Sequence, residues 1–65
     1  MDNTLAALRA EHGLSQAALA EALEVSRQTV ISIERGRFDP SLPLAFRIAA
    51  YFGCRIEDIF HPEGA

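Results

Sequence analysis

The chain has 65 residues, a hydrophobic content of 49% and a formal net charge of −3, with a pI of about 5.1. This length allows at most one small domain, the hydrophobic content excludes a disordered tail, and a single cysteine excludes an intramolecular disulfide. We expect no signal peptide, and no apolar run comes near the ~18 residues that a membrane span requires. We therefore expect a cytoplasmic, soluble, all-α domain over residues 1–65.

The first predicted helix covers about residues 4–12 and is closed by Gly13. Leu5, Leu8 and His12 fall on one stripe of this helix at the helical period. His12 could be a ligand, but its place at the negative end of the helix dipole favours an ordinary helix-end residue.

Two further short helices joined by a tight corner are predicted at about residues 16–23 and 27–35. Ser15 and Ser26 are N-cap candidates, because a serine hydroxyl accepts a backbone N–H of the first turn. Gly36 supplies a left-handed residue after the second of these helices. The inward-facing residues recur at the helical period: Leu19, Ala20 and Leu23 in the first helix, and Val30 and Ile33 in the second.

A fourth helix is predicted at about residues 42–52, after the loop GRFDP. Ser41 is its N-cap candidate, and Pro43 fits the first turn, where its missing N–H is not needed. In the loop, Phe38 is expected to plug the core. The apolar stripe of the helix, which we interpret as core, consists of Ala45, Ile48, Ala49 and Phe52.

A short fifth helix is predicted at about residues 56–60, followed by a polar tail over 61–65. The end of the chain carries much apolar surface for so small a domain, and our hypothesis is that part of this surface forms a homodimer interface. The residues of that predicted interface are Tyr51, Ile56, Ile59 and Phe60.

Residues 14–36, and LEVSRQTVISIERG above all, resemble the helix-turn-helix of the Cro/phage-repressor type of transcriptional regulators, the xenobiotic response element family. The resemblance continues through FDPSLPLAFRIAAYFG and IEDIF and covers roughly residues 4–60. It implies a compact five-helix, repressor-like DNA-binding domain, with the helix-turn-helix at helices 2 and 3, similar to small stand-alone bacterial or phage repressors. The chain departs from the family at Glu24, where a glycine is usual, and at Arg55, where a serine or threonine is usual.

The resemblance implies that the third helix reads bases in the major groove with its N-terminal residues first. Arg27 suits guanine and Gln28 suits adenine, each through two hydrogen bonds. The expected base-reading residues are Arg27, Gln28, Thr29 and Ser32, and the expected phosphate contacts are Gln16, Arg35 and Arg37. The alternative for the four base-reading residues is an ordinary solvated helix face, and the alternative for Gln16 is a solvated surface glutamine.

Glu34 would repel phosphate from the third helix unless a cation holds it, and the resemblance implies that Arg9 is that cation. We expect this ion pair to be part of the scaffold. Relatives carry more basic residues than Arg9 in the first helix, so the resemblance gives weak support for a phosphate contact there.

Charge and motif favour different functions. The resemblance predicts a dimeric repressor that binds a palindromic operator in double-stranded DNA, since a two-fold dimer sets two reading helices about 34 Å apart. The acidic pI favours the alternative, a protein-interaction module on the same fold, such as an antitoxin-like or phage partner-binding subunit. The two histidines and Cys54 show no metal-ligand spacing, and no glycine-rich phosphate loop follows a strand. We expect no enzyme, no cofactor and no metal site.

Overall fold

A computed structural model describes residues 1–62 as five helices and one short strand pair. The helices are α1 (Leu5–Glu11), α2 (Gln16–Leu23), α3 (Arg27–Glu34), α4 (Leu42–Phe52) and α5 (Ile56–Ile59). The strands are β1 (Asp2–Asn3) and β2 (Phe60–His61). The predicted five-helix fold, with the helix-turn-helix at α2 and α3, is confirmed. Part of the predicted polar tail, at 63–65, lies outside the described residues.

Three of the helices begin where the sequence predicts a serine cap. Ser15, Ser26 and Ser41 precede α2, α3 and α4, and each has an extended ψ angle close to 160°. In each case the serine Oγ accepts a hydrogen bond from the backbone N–H three residues on, at 3.0 Å from Ala18, 3.1 Å from Thr29 and 3.3 Å from Leu44. Because one cap stabilises a helix by about 1 kcal/mol, these starts are fixed by local chemistry.

The corner between α2 and α3 turns at Glu24. Its backbone angles are φ 60° and ψ 40°, and it is the one non-glycine residue among 1–62 with a positive φ. Arg47 of α4 supports this corner, since its Nη1 donates to the carbonyl oxygen of Leu23 at 3.1 Å. The last turn of α2 therefore keeps a hydrogen-bonding partner although the chain bends sharply there.

The core lies where α1, α2, α3 and α4 meet α5 and β2. Its buried side chains are Leu5, Leu19, Ala20, Leu23, Val30, Ile33, Leu44, Ala45, Ile48, Ala49, Ile59 and Phe60. Ile59 and Phe60 are only 0% and 5% exposed, so their expected place in a homodimer interface is wrong. The reason is that α5 packs on α4 while β2 pairs with β1, and both contacts turn these two side chains inward.

The strand pair brings the start and the end of the described chain together. Asp2 pairs with His61 and Asn3 with Phe60 in an antiparallel register. Thr4 extends the contact, because its N–H donates to the carbonyl oxygen of Ile59 at 2.9 Å.

The longest helix in residues 1–62 is α4, with 11 residues. A bilayer needs about 20 apolar residues in a helix. No helix in the described part of the chain meets that length and hydropathy.

Candidate nucleic-acid interface

Helix α3 is half buried and half polar. Its inner side chains, Val30 and Ile33, are 0% and 1% exposed and fix the helix on the core. The expected base-reading residues all lie away from these two: Arg27 and Gln28 are exposed, and Thr29 and Ser32 are half-buried. The hydroxyl of Thr29 already lies 2.9 Å from the Oγ of Ser26. The outer face of α3 therefore offers the guanidinium of Arg27, the amide of Gln28 and two hydroxyl groups. Of the two hydroxyls, that of Thr29 is already hydrogen-bonded to Ser26.

A polar network connects α1 and the start of α2 to α3, whose last residue is Glu34. Arg9 Nε lies 2.6 Å from Glu34 Oε2, and Arg9 Nη1 donates to the carbonyl oxygen of Leu14 at 2.8 Å. The structure thus brings together the two residues of the expected scaffold pair. The side chains are 19% and 7% exposed, and the hydrogen bonds that the Arg9 guanidinium donates to the Glu34 carboxylate raise the pKa of Arg9. Both charges are compensated within the fold.

Gln16, expected to contact phosphate, lies in the same network. Its Nε2 donates to Glu34 Oε1 at 3.1 Å, and its Oε1 accepts from Arg27 Nη2 at a long 3.5 Å. Gln16 and Arg27 also border a shallow concavity of about 490 Å³ at the N-terminus of α2, together with Arg9, Ser15 and Ala17. The amide of Gln16 is therefore held in place beside free backbone N–H groups, which form a setting suited to an anion.

The six arginines divide into two groups. Arg9, Arg47 and Arg55 are engaged by Glu34, by the carbonyl of Leu23 and, at 3.9 Å, by Asp58. The other three are Arg27, Arg35 and Arg37; in residues 1–62 no carboxylate lies within 4.0 Å of them. Because all three are at or just beyond the ends of α3, uncompensated positive charge is concentrated around this helix on a chain of net charge −3.

Known protein families and solved structures resemble this chain over most of its length. A family model described as helix-turn-helix matches residues 5–59, which is most of the chain. The chain belongs to the Cro/C1-type helix-turn-helix family of transcriptional regulators. Members of this family bind DNA, and the family is one of regulators, not of enzymes.

Relatives of this regulator occur in archaea and bacteria. An uncharacterized HTH-type transcriptional regulator of Methanocaldococcus jannaschii is 60% identical over 60 residues, which cover 92% of this chain and 91% of the relative. The uncharacterized HTH-type regulator YgzD of Bacillus subtilis is 47% identical over 63 residues, covering 97% and 96%.

Solved structures share the fold of this regulator. The restriction-modification controller protein C.AhdI of Aeromonas hydrophila superposes with a TM-score of 0.77 at 32% identity, over 86% of this chain and 85% of that one. A transcriptional regulator from Listeria innocua gives a TM-score of 0.81 at 27% identity, over 100% of this chain and 65% of its own. The regulator spans 58% of the clp gene regulator ClgR of Corynebacterium glutamicum, so some structural neighbours are considerably longer.

The sequence predicts that Phe38 covers the core. The structure shows otherwise, because Phe38 is 47% exposed. The backbone N–H groups of Arg37 and Phe38 both donate to the carbonyl oxygen of Ser32, at 2.9 and 3.3 Å. These bonds fold the loop back on the last turn of α3. The phenyl ring consequently lies beside the outer face of α3, next to Ser32 and Gln28.

Asn3 positions α3 and was not found from the sequence. Its Nδ2 donates to the carbonyl oxygen of Ile33 at 2.8 Å, and its Oδ1 accepts from the N–H of Leu5 at 3.1 Å. One amide thus caps the start of α1 and satisfies a carbonyl near the end of α3. An asparagine shortly before a helix signals a cap, but nothing local signals the bond to Ile33.

The titratable groups of residues 1–62 outside this network include one cysteine, Cys54. In the described part of the chain, no three His, Cys, Asp or Glu residues are close enough to hold a metal ion. Cys54 is half-buried, and desolvation raises the pKa of its thiol, with a further contribution from the charge of Asp58. A thiol with a raised pKa is a poor nucleophile at neutral pH.

Proposed function

We propose that this regulator is a homodimeric repressor that acts in the cytoplasm and recognises a palindromic operator through α3. One observation supports the proposal above all others. Three arginines without a carboxylate within 4.0 Å, Arg27, Arg35 and Arg37, lie around α3, the second helix of the helix-turn-helix. Phosphate contacts supply much of the affinity for DNA, and they need such uncompensated cations. The excess of acidic residues that gives the chain its net charge of −3 would then lie on parts of the molecule that face away from DNA.

Base recognition is assigned to Arg27, Gln28, Thr29 and Ser32. Arg27 and Gln28 are exposed in the first turn of α3, the part of a recognition helix that reaches base edges first. Each two-bond contact, Arg27 with guanine or Gln28 with adenine, discriminates by about 1–3 kcal/mol. Because the Thr29 hydroxyl is shared with Ser26, its methyl group is the part we expect to face a base.

Phosphate binding is assigned to Gln16, Arg35 and Arg37. Gln16 is oriented by Glu34 and stands at the N-terminus of α2, where backbone N–H groups favour an anion. Arg35 and Arg37 are exposed at the C-terminal end of α3. Phosphate contacts from the start of α2 and from the end of α3 would hold the reading helix in register on the groove without reading sequence.

Exposed apolar residues on α4 and α5 support the dimer. Tyr51 is 45% exposed and Ile56 is half-buried, so these two residues of the predicted interface stay available. Leu42 and Phe46 add to them, with 65% and 58% of their surface exposed. Phe46 and Ile56 border one groove, and an exposed aromatic residue beside an aliphatic one is typical of the centre of an interface.

The same surface offers a place for a second copy of the chain across a two-fold axis. A groove of about 480 Å³ between α4 and α5 is lined by Phe46, Ile56 and Cys54, and also by Arg55 and Glu57. We infer that each copy inserts its Phe46 side chain, which is 58% exposed, into the groove of its partner. The opposite charges of Arg55 and Glu57 favour the same pairing.

The dimer is tested by sedimentation of Phe46→Glu without DNA. We expect the variant to be a folded monomer at concentrations where the unchanged protein is a dimer, because the new charge would be desolvated in the interface. Phe38→Glu is the matched control, since it places the same change on an exposed phenylalanine away from the groove. A monomeric unchanged protein, or a dimeric Phe46→Glu, would contradict this interface.

The DNA reading is tested by selection of bound sequences from a random duplex pool. The unchanged protein is run beside an Arg27→Ala, Gln28→Ala double variant, with Glu11→Ala as the control because Glu11 is exposed at the end of α1 and lies outside both α3 and the proposed dimer groove. We expect a palindromic consensus that the control retains and the double variant loses. If the folded protein enriches no sequence at low salt, DNA recognition by α3 is refuted.

A protein-interaction module is the second candidate, favoured by the acidic pI of about 5.1. Retention on heparin separates the two candidates. Retention that falls steeply with salt and depends on Arg35 and Arg37 supports DNA binding. No retention at low salt would favour a protein partner for the outer face of α3.

A further inference from the structure

The loop after α3 presents an aromatic ring beside a polar helix face. Phe38 is 47% exposed, although the hydrogen bonds of Arg37 and Phe38 to the carbonyl oxygen of Ser32 hold its backbone in place. A lone exposed phenylalanine needs no explanation by itself. Here, however, the ring is fixed next to the surface to which DNA recognition is assigned.

Phe38 also completes a concavity of suitable chemistry. A hollow of about 160 Å³ is lined by Ser26, Gln28, Thr29, Ser32 and Phe38. One wall therefore carries hydroxyl and amide groups, and the other is an apolar ring. Of the groups that base pairs show in the major groove, the 5-methyl group of thymine is the apolar one, and it lies next to hydrogen-bonding atoms.

We propose that Phe38 contacts the 5-methyl group of a thymine in each half-site and so specifies an A·T pair there. This inference rests on the proposed function, since it requires α3 to lie in the major groove. The Phe38 side chain has no hydrogen-bond donor, and its backbone N–H already donates to Ser32, so an apolar base edge is the DNA feature that fits this residue. Gln28 on the facing wall suits the adenine of the same or the adjacent pair, which reinforces the preference for A·T.

The test compares thymine with deoxyuridine, which pairs identically but lacks the methyl group. Single thymines of the selected operator are replaced symmetrically in both half-sites, and the dissociation constant is measured for the unchanged protein and for Phe38→Ala. At one position we expect the unchanged protein to lose about fourfold per half-site, or roughly 15-fold for the symmetric operator, as for one buried methyl-sized group. Phe38→Ala should bind the thymine and uracil operators equally, and Phe38→Leu should keep part of the discrimination.

A matched variant separates Phe38 from the nearby threonine methyl. Thr29→Ser removes that methyl from the same hollow, and it should leave the uracil sensitivity at the Phe38 position unchanged. Thermal unfolding of Phe38→Ala monitors the fold, and a small change is expected because the ring is outside the buried core.

The outcomes that overturn the proposal are distinct. If every uracil operator binds the unchanged protein as well as thymine does, or if Phe38→Ala keeps the sensitivity, Phe38 does not read a methyl group. If Phe38→Ala weakens the thymine and uracil operators equally while the unchanged protein shows no difference between them, the ring serves the loop or the sugar–phosphate backbone instead. A protein that selects no operator refutes DNA recognition as well, and that result differs from a selected operator that tolerates uracil.

Discussion

Neutralising Glu34 should destabilise this regulator more than any exposed charge change. Glu34→Gln keeps the side-chain shape but leaves the Arg9 guanidinium, 19% exposed, without its negative partner. Breaking a buried ion pair from one side costs about 3–5 kcal/mol. Arg9 retains some water and its bond to the carbonyl of Leu14, so we expect a smaller loss of about 2–3 kcal/mol.

That loss is large for a chain of this size. At roughly 0.05–0.15 kcal/mol per residue, a 65-residue domain has only about 3–10 kcal/mol of unfolding free energy. A decrease of 2–3 kcal/mol corresponds to a midpoint lowered by roughly 10–20 °C in a domain this small. Urea and thermal unfolding followed by circular dichroism measure both quantities.

The matched control is Arg55→Ala, which breaks an ion pair of 3.9 Å whose side chains are 76% and 49% exposed. Exposed pairs contribute roughly 0–1 kcal/mol, so the control should unfold almost as the unchanged protein does.

The pKa of Arg9 is raised, so the contribution of Arg9 to the unfolding free energy is fully present below the pKa of an unfolded arginine and is lost only in strong alkali. Arg9 keeps its charge between about pH 6 and 9, so the difference in unfolding free energy between the two variants should not change over this range through loss of that charge. Equal stability of Glu34→Gln and Arg55→Ala would refute the argument.

Two further predictions concern backbone strain and a titrating thiol. Glu24→Gly should raise the unfolding free energy by up to about 1 kcal/mol, because the residue has φ 60°, where side chains are strained; Glu24→Ala is the control and should not stabilise. The raised pKa of Cys54 predicts slower alkylation by iodoacetamide at pH 8 in the folded chain than in urea. The stability linked to this shift is present below the pKa of the unfolded thiol and falls as the pH rises through the folded value. Equal alkylation rates would show that the thiol is not protected.

The features predicted correctly from the sequence are those encoded over a few residues. Ser15, Ser26 and Ser41 are each followed by apolar residues at the helical period, so one cap and one face fix each helix. Glu24 stands where the resemblance expects a glycine, and its φ of 60° is the left-handed conformation that glycine adopts without strain.

The features that the sequence did not reveal depend on residues far apart in the chain. From the sequence, Ile59 and Phe60 look like exposed apolar residues. They are buried because β2 pairs with β1, which lies at the other end of the sequence. Phe38 looks like a core residue until the loop hydrogen-bonds to Ser32. Asn3 reaches Ile33 only once both ends of the fold are assembled. Hydrophobic periodicity indicates which face of one helix is buried. It does not reveal contacts between segments that are far apart in the sequence.

The strand pair has a consequence for the order in which the domain forms and opens. Joining Asn3 to Phe60 closes a loop of nearly the whole chain, which in a flexible chain costs about 3–4 kcal/mol of entropy. Two residues a side are too few to repay that cost, so the helices must first bring the ends near each other. The pairing should therefore be the last contact to form and the first to open. Since Asn3 also holds the carbonyl of Ile33, each opening frees the end of α3. Amide exchange at Asn3 and at the last turn of α3 should then rise and fall together, while the amides around Ile48 exchange only when the whole domain unfolds.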